Sequence, residues 1–309
     1  MQTEHMQRWH RRKIREDEVY HRQGQNWRAH KMGKETNPAC LPVPDSCSSC
    51  VSDCPDWSTA TSTRPPSCFF IDLGVEIVQS TLGFYGQTGD QACRYANLTS
   101  NGHFGRAWFE NRVCPRQVKR SAAIFARLTW PRLMAAGFRP RQCRAILVEP
   151  NMQYGYDRVL EQFRLEYPNA TVHERSAIYQ CDAQALTFNG PQKSLAANTM
   201  KERWRVRLGL DSTDTRSRGA TVVRALSLNR LLKETVTRAD FVVLKVDVEA
   251  SEYELLDCLA SSPSMALVDQ LLLERHDGMY NVSRDRQQRL DTALTTMRQA
   301  GIDVMARWP

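Results

Sequence analysis

Phe241-Val242-Val243-Leu244-Lys245-Val246-Asp247-Val248-Glu249 reads as a strand that runs out into a set of charges. Its first six residues are apolar except for Lys245, and three of them are β-branched valines. An apolar run without polar alternation, closed by polar residues, fits a strand covered on both faces in a parallel sheet. Lys245 and Val246 then point to opposite faces, because successive side chains alternate across a strand. Parallel neighbours cannot be joined by a tight hairpin and need a crossover, usually a helix. If Phe241–Asp247 is such a strand, the sequence around it should alternate between short apolar runs and helical patterns.

It does so in both directions. Upstream lie Cys68-Phe-Phe-Ile-Asp72, followed by Leu73-Gly74, then Arg144-Ala-Ile-Leu-Val-Glu149 and Ala170–Arg175. Downstream lies Gln270-Leu-Leu-Leu-Glu274. Helices are expected over Ser121–Ala136 with a break or kink at Pro131, and over Tyr156–Glu166, Glu252–Ala260 and Arg284–Gly301. In the last of these, Leu290, Leu294 and Met297 are spaced for one buried face, and Gly301 stands where a helix C-cap belongs. The fold class read from this rhythm is α/β, a doubly wound sheet.

Ligands of open α/β sheets sit beyond the carboxyl ends of the strands. Those ends read Asp72-Leu-Gly74, Glu149-Pro-Asn151, Asp247-Val-Glu249 and Glu274-Arg-His276. Gly74 permits a sharp turn and a close backbone approach. Glu149 could accept hydrogen bonds from both hydroxyls of a ribose, as acids do in dinucleotide folds. Asp182 could face an adenine amino group, or open an Asx turn into Ala183–Phe188. Asp247, Glu249 and Glu252 are close in sequence, and mutual repulsion would raise carboxyl pKa values there. That suits a general base, a substrate clamp or a divalent cation, and equally an acidic first turn of a helix. His276 titrates near neutrality and could take a proton from a hydroxyl. No metal-ligand set is assigned from spacing alone.

Composition narrows the class further. The 309 residues are 41% hydrophobic and 25% charged with a net charge of +8, enough apolar content for a sizeable core. The basic residues are interspersed with acids and form no patch suited to nucleic acid, so no nucleic-acid partner is expected. No run approaches the ~18 apolar residues of a membrane span. Residues 1–66 form an arm (1–36) and a linker rich in Pro, Ser, Thr and Cys; 67–309 form the folded domain, with a long polar insertion at about 83–119. Cys40, Cys47, Cys50 and Cys54 lack the second separated Cys-x-x-Cys pair of a zinc ribbon, and the adopted reading is a disulfide-tied or reduced linker. The charged N-terminus has no secretory h-region, yet ten cysteines and sequons at Asn97, Asn169 and Asn281 suit a secretory lumen. The compartment therefore stays open: cytoplasmic as the chain is written, luminal if a signal precedes it.

Leu244-Lys-Val-Asp-Val-Glu-Ala-Ser-Glu-Tyr-Glu-Leu-Leu256 resembles the Lys-Ile-Asp-Val-Glu-Gly-x-Glu signature of the FkbM-type methyltransferases. Phe70–Gly74, Val148–Asn151, Thr221–Leu232 and Leu272–His276 are similar to further blocks of that family, in the same order. The resemblance implies a Rossmann-like class I methyltransferase sheet with helices on both faces. It implies S-adenosylmethionine as methyl donor and a hydroxyl acceptor on a small molecule or carbohydrate. By the resemblance Asp72 and Gly74 would line the donor site, Glu149 would hold its ribose, and Asp247, Glu249 and His276 would face the acceptor. The family's first motif, Asp-x-Gly-Ala-Asn-x-Gly, departs here to Asp72-Leu-Gly74-Val-Glu-Ile-Val78, so a β-branched residue replaces its second glycine. This leaves a non-catalytic binding module on the same fold as the alternative. A nicotinamide enzyme is disfavoured, because Gly74-Val75-Glu76-Ile77-Val78-Gln79 holds no Gly-x-Gly-x-x-Gly turn.

Overall fold

The computed structural model describes residues 64–74, 78–87, 114–150, 156–179, 183–188, 206–207, 221–248, 251–277 and 282–306. Glu249, Asp182, the arm, the Cys40–Cys54 cluster and most of the 83–119 insertion lie outside the described residues.

Six strands form the main sheet: β1 (Cys68–Leu73), β2 (Arg144–Glu149), β3 (Thr171–Glu174), β8 (Phe241–Val246), β9 (Gln270–Leu273) and β10 (Asp303–Met305). Their order is β10-β9-β8-β1-β2-β3, and every pairing is parallel. From β1 the chain winds outward through β2 and β3 on one side, then returns to β8 and winds through β9 and β10 on the other. The order thus reverses between β1 and β8, the crevice where ligands of such sheets bind.

The strands alternate strictly between two covered faces. Phe69, Ile71 and Leu73, with Val242, Leu244 and Val246, belong to one core cluster. It packs on α5 (Leu228–Thr235), α6 (Glu252–Ala260) and α7 (Arg284–Gln299). Phe70, Leu147, Val243 and Leu272 belong to the other. It packs on α1 (Gln79–Phe84), α2 (Cys114–Leu128), α3 (Trp130–Ala135) and α4 (Tyr156–Glu166). Each fully buried Leu, Ile or Phe contributes about 1.5–3 kcal/mol, so the two clusters supply the main driving force. β1 is buried at all six positions, which suits its five apolar residues and leaves the Asp72 carboxylate to be satisfied by partners inside the protein.

Two expectations are corrected. The helix expected from Ser121 begins earlier, at Cys114; it ends at Leu128, and the break expected at Pro131 is present, with that residue in the first turn of α3, where a missing N–H costs nothing. The strand expected over Ala170–Arg175 ends at Glu174, because Arg175 takes φ 49°. The chain then enters a second sheet, β4 (Ser176–Tyr179), β5 (Ala183–Phe188), β6 (Val206–Arg207) and β7 (Thr221–Ser227), in the order β4-β7-β5-β6. Strand periodicity did not separate this mixed sheet from the parallel one. Within this second sheet β5 runs antiparallel to β7.

A disulfide joins Cys68 at the start of β1 to Cys143, the residue before β2. At the entrance to the domain, Asp240 accepts hydrogen bonds from the Ser67 N–H (2.8 Å) and the Thr237 N–H (2.7 Å) and pairs with Arg64. These bonds tie the incoming chain to the start of β8.

Candidate active site

Asp72 and Lys245 face each other across β1 and β8 on the same side of the sheet. Both are buried. The Asp72 carboxylate accepts from Ser80 Oγ (2.5 Å) and Thr81 Oγ1 (2.7 Å) in α1, and its other oxygen lies 3.1 Å from Lys245 Nζ. The same ammonium donates to Asp247 Oδ2 at 3.2 Å and lies 3.5 Å from the Gly74 carbonyl. Burial alone would lower the Lys245 pKa, but Asp72 and Asp247 outweigh it and hold the group above its ordinary value. Asp72 is therefore a pin that fixes α1 and Lys245, with its carboxylate already engaged.

Gly74 follows β1 with φ +80°, and a Cβ there would stand 1.6 Å from the Asp247 carbonyl oxygen. Its N–H donates to Val148 O (3.1 Å) while Asp247 N–H donates to Leu73 O (3.0 Å). The ends of β2, β1 and β8 are thus drawn together around a residue that only glycine satisfies. Glu149 ends β2, buried, beside β1 and opposite Glu174 of β3.

Asp247, Glu274 and His276 converge from the ends of β8 and β9. One ligand atom of each lies within 4.8 Å of the others, a grouping that suits a shared proton or a divalent cation. Burial, and then the Asp247 charge, raises the Glu274 pKa to about 7; His276 and Lys245 pull the other way. His276 is 2% exposed and Glu252 0%. Glu252 Oε1 accepts from the His276 backbone N–H at 3.1 Å and meets Nδ1 of the ring at 3.1 Å. This directs Nε2 toward Asp247 Oδ1, 3.7 Å away. Behind the ring, Tyr253 donates to Asp277 Oδ1 (2.6 Å) and Arg275 pairs with Asp277 and Asp291. These contacts hold the turn after β9.

The structure brings together Asp72, Gly74, Glu149, Asp247 and His276 at one end of the sheet. Sequence reasoning missed the chemistry of Glu274, which it read only as a strand end. It grouped Glu252 with Asp247, whereas Glu252 turns away to hold His276. Parity offered a signal for the first: Lys245 and Asp247, like Leu272, Glu274 and His276, fall on alternate positions of their strands, which places them on one side of the sheet.

The model of the methyltransferase FkbM domain matches residues 129–301. The chain belongs to the FkbM methyltransferase family. No curated protein and no solved structure matches it. The FkbM match covers β2, β8 and β9, and with them Glu149, Asp247, Glu252, Glu274 and His276. β1 with Asp72 and Gly74 precedes the matched residues and joins the FkbM core through its pairings with β2 and β8.

Proposed function

We propose that the chain binds S-adenosylmethionine across the carboxyl ends of β1 and β2 and transfers its methyl group to a hydroxyl oxygen of a small molecule or carbohydrate. The observation that carries this reading is the adjacency of β1 and β2, locked by the Gly74–Val148 hydrogen bond, with buried Glu149 at the next strand tip. Gly74 turns the chain sharply at the rim where the nucleoside would lie, Glu149 can accept from both ribose hydroxyls, and Asp182 is assigned beside the adenine. Bound there, the donor supplies an electrophilic methyl carbon on a sulfonium.

The chain's own residues orient the acceptor and move one proton. Asp247, Glu249 and His276 are assigned to the acceptor side. Glu252 supports His276 as the base: a carboxylate at Nδ1 fixes the tautomer in which Nε2 carries the lone pair, and Nε2 faces Asp247. Most of the acceleration expected of such an enzyme comes from alignment of donor and acceptor.

Calorimetry with S-adenosylmethionine tests the reading. Wild type should bind, and Glu149→Ala should bind at least tenfold more weakly. Equal binding by both proteins, or none by wild type, overturns it. Val78 favours a second reading, a binding module that does not methylate. It occupies the position of the family's second glycine at φ 54°, a left-handed conformation in which a β-branched residue is an outlier. Donor binding without transfer of a labelled methyl group to any hydroxyl acceptor would select that reading.

A further inference from the structure

We propose that Asn169 is an N-glycosylation site and that the chain matures in an oxidising secretory lumen. Two independent features carry this inference, and neither depends on the methyl-transfer reading.

The first is the thiol chemistry. Cys68 and Cys143 are disulfide-bonded with Cα atoms 4.5 Å apart, and both are buried in the core. Cys258 of α6, also buried, is likewise disulfide-bonded. Disulfides in the interior of a domain persist in extracellular and luminal compartments and are kept reduced in the cytosol. Each forms when two thiols give two protons and two electrons to a disulfide-bearing oxidant of that compartment, by exchange.

The second is the placement of the sequon Asn169-Ala170-Thr171. Asn169 and Thr171 are both exposed. Asn169 sits in a turn closed by the Ala170 N–H donating to Tyr167 O (2.8 Å), between α4 and β3. β3 is an edge strand of the main sheet. Asn169 lies at its amino end, so a glycan there projects away from Asp247, Glu274 and His276 at the carboxyl ends. Edge strands are templates for unwanted pairing, and a bulky polar group beside one blocks it. In the reaction the Asn169 amide nitrogen bonds to the anomeric carbon of a lipid-linked oligosaccharide. The lipid pyrophosphate leaves, and the amide gives up one proton.

The test uses the full chain from its native source, alkylated at lysis before any reduction. Peptide N-glycosidase digestion in ¹⁸O water should convert Asn169 to labelled Asp and shift the mass of the tryptic peptide Leu165–Arg175 accordingly. Asn169→Gln and Thr171→Ala should each lose that shift, while Thr171→Ser keeps it, which separates a sequon effect from a folding defect. The Cys68 and Cys143 peptides should stay linked until reductant is added. An unmodified Asn169 in the native protein, or Cys68 and Cys143 alkylated at lysis, overturns the proposal.

Discussion

At the scale of single residues, Gly74 carries the sharpest constraint. A Cβ placed 1.6 Å from a backbone oxygen cannot be relieved by a side-chain rotation. Gly74→Ala should destabilise by more than about 4 kcal/mol, the range of the rare severe substitutions, in urea unfolding. Val78 is the reverse case. Its left-handed backbone stores about 1–3 kcal/mol. Its side chain is fully buried against Phe70 and Leu82, worth a further ~1.5–3 kcal/mol. Val78→Gly releases the strain but loses the packing, so stability should change little or fall slightly. Glu274 gives a pH signature. Its folded-state pKa, about 7, stands above the ordinary 4.5, so the folded protein holds a proton that the unfolded chain releases in that window. Stability from this group is complete below about 4.5 and is lost as pH rises through about 7. The melting temperature of wild type should therefore fall across that interval more steeply than that of Glu274→Gln.

At the scale of elements, α6 does two things. One face packs Leu255, Leu256 and Leu259 on the sheet. Its first residue, Glu252, reaches the loop after β9 and sets the His276 ring. Glu252→Gln keeps the shape but offers an amide where Nδ1 needs a carboxylate. Removing the partner that orients a working imidazole costs ~10–100-fold, and the loss should appear in kcat with the donor dissociation constant unchanged. A merely structural role would instead lower the melting temperature and kcat and raise the donor dissociation constant together. The Cys68–Cys143 bridge closes a loop of 75 residues between β1 and β2. On the loop-entropy account its reduction should cost about 4 kcal/mol, measured by urea unfolding with and without reductant.

At the scale of the whole molecule, six parallel strands place every carboxyl end at one rim, and the order reverses between β1 and β8. Residues separated by more than 170 positions, such as Asp72 and Lys245, meet there. A donor that binds only this assembled rim should stabilise the fold by about 2.7 kcal/mol at a hundredfold excess over its dissociation constant. A thermal shift with S-adenosylmethionine, absent in Glu149→Ala, is the corresponding measurement.

The sequence by itself determined the α/β class, five strands of the main sheet and the polar strand tips, because burial on both faces leaves an apolar run that can be read locally. Glu252–Ala260 and Tyr156–Glu166 were legible to the residue for the same reason: their apolar positions repeat at the helical period. Only the tertiary structure decided which charges neutralise one another. The sequence carries no sign that Ser80, Thr81 and Lys245 meet Asp72, or that Glu252 binds His276 beside Asp247. Periodicity reports what one segment buries. Partner choice, and the pKa of Glu274 with it, depends on which distant strands lie side by side, and that is fixed only when the sheet order is formed.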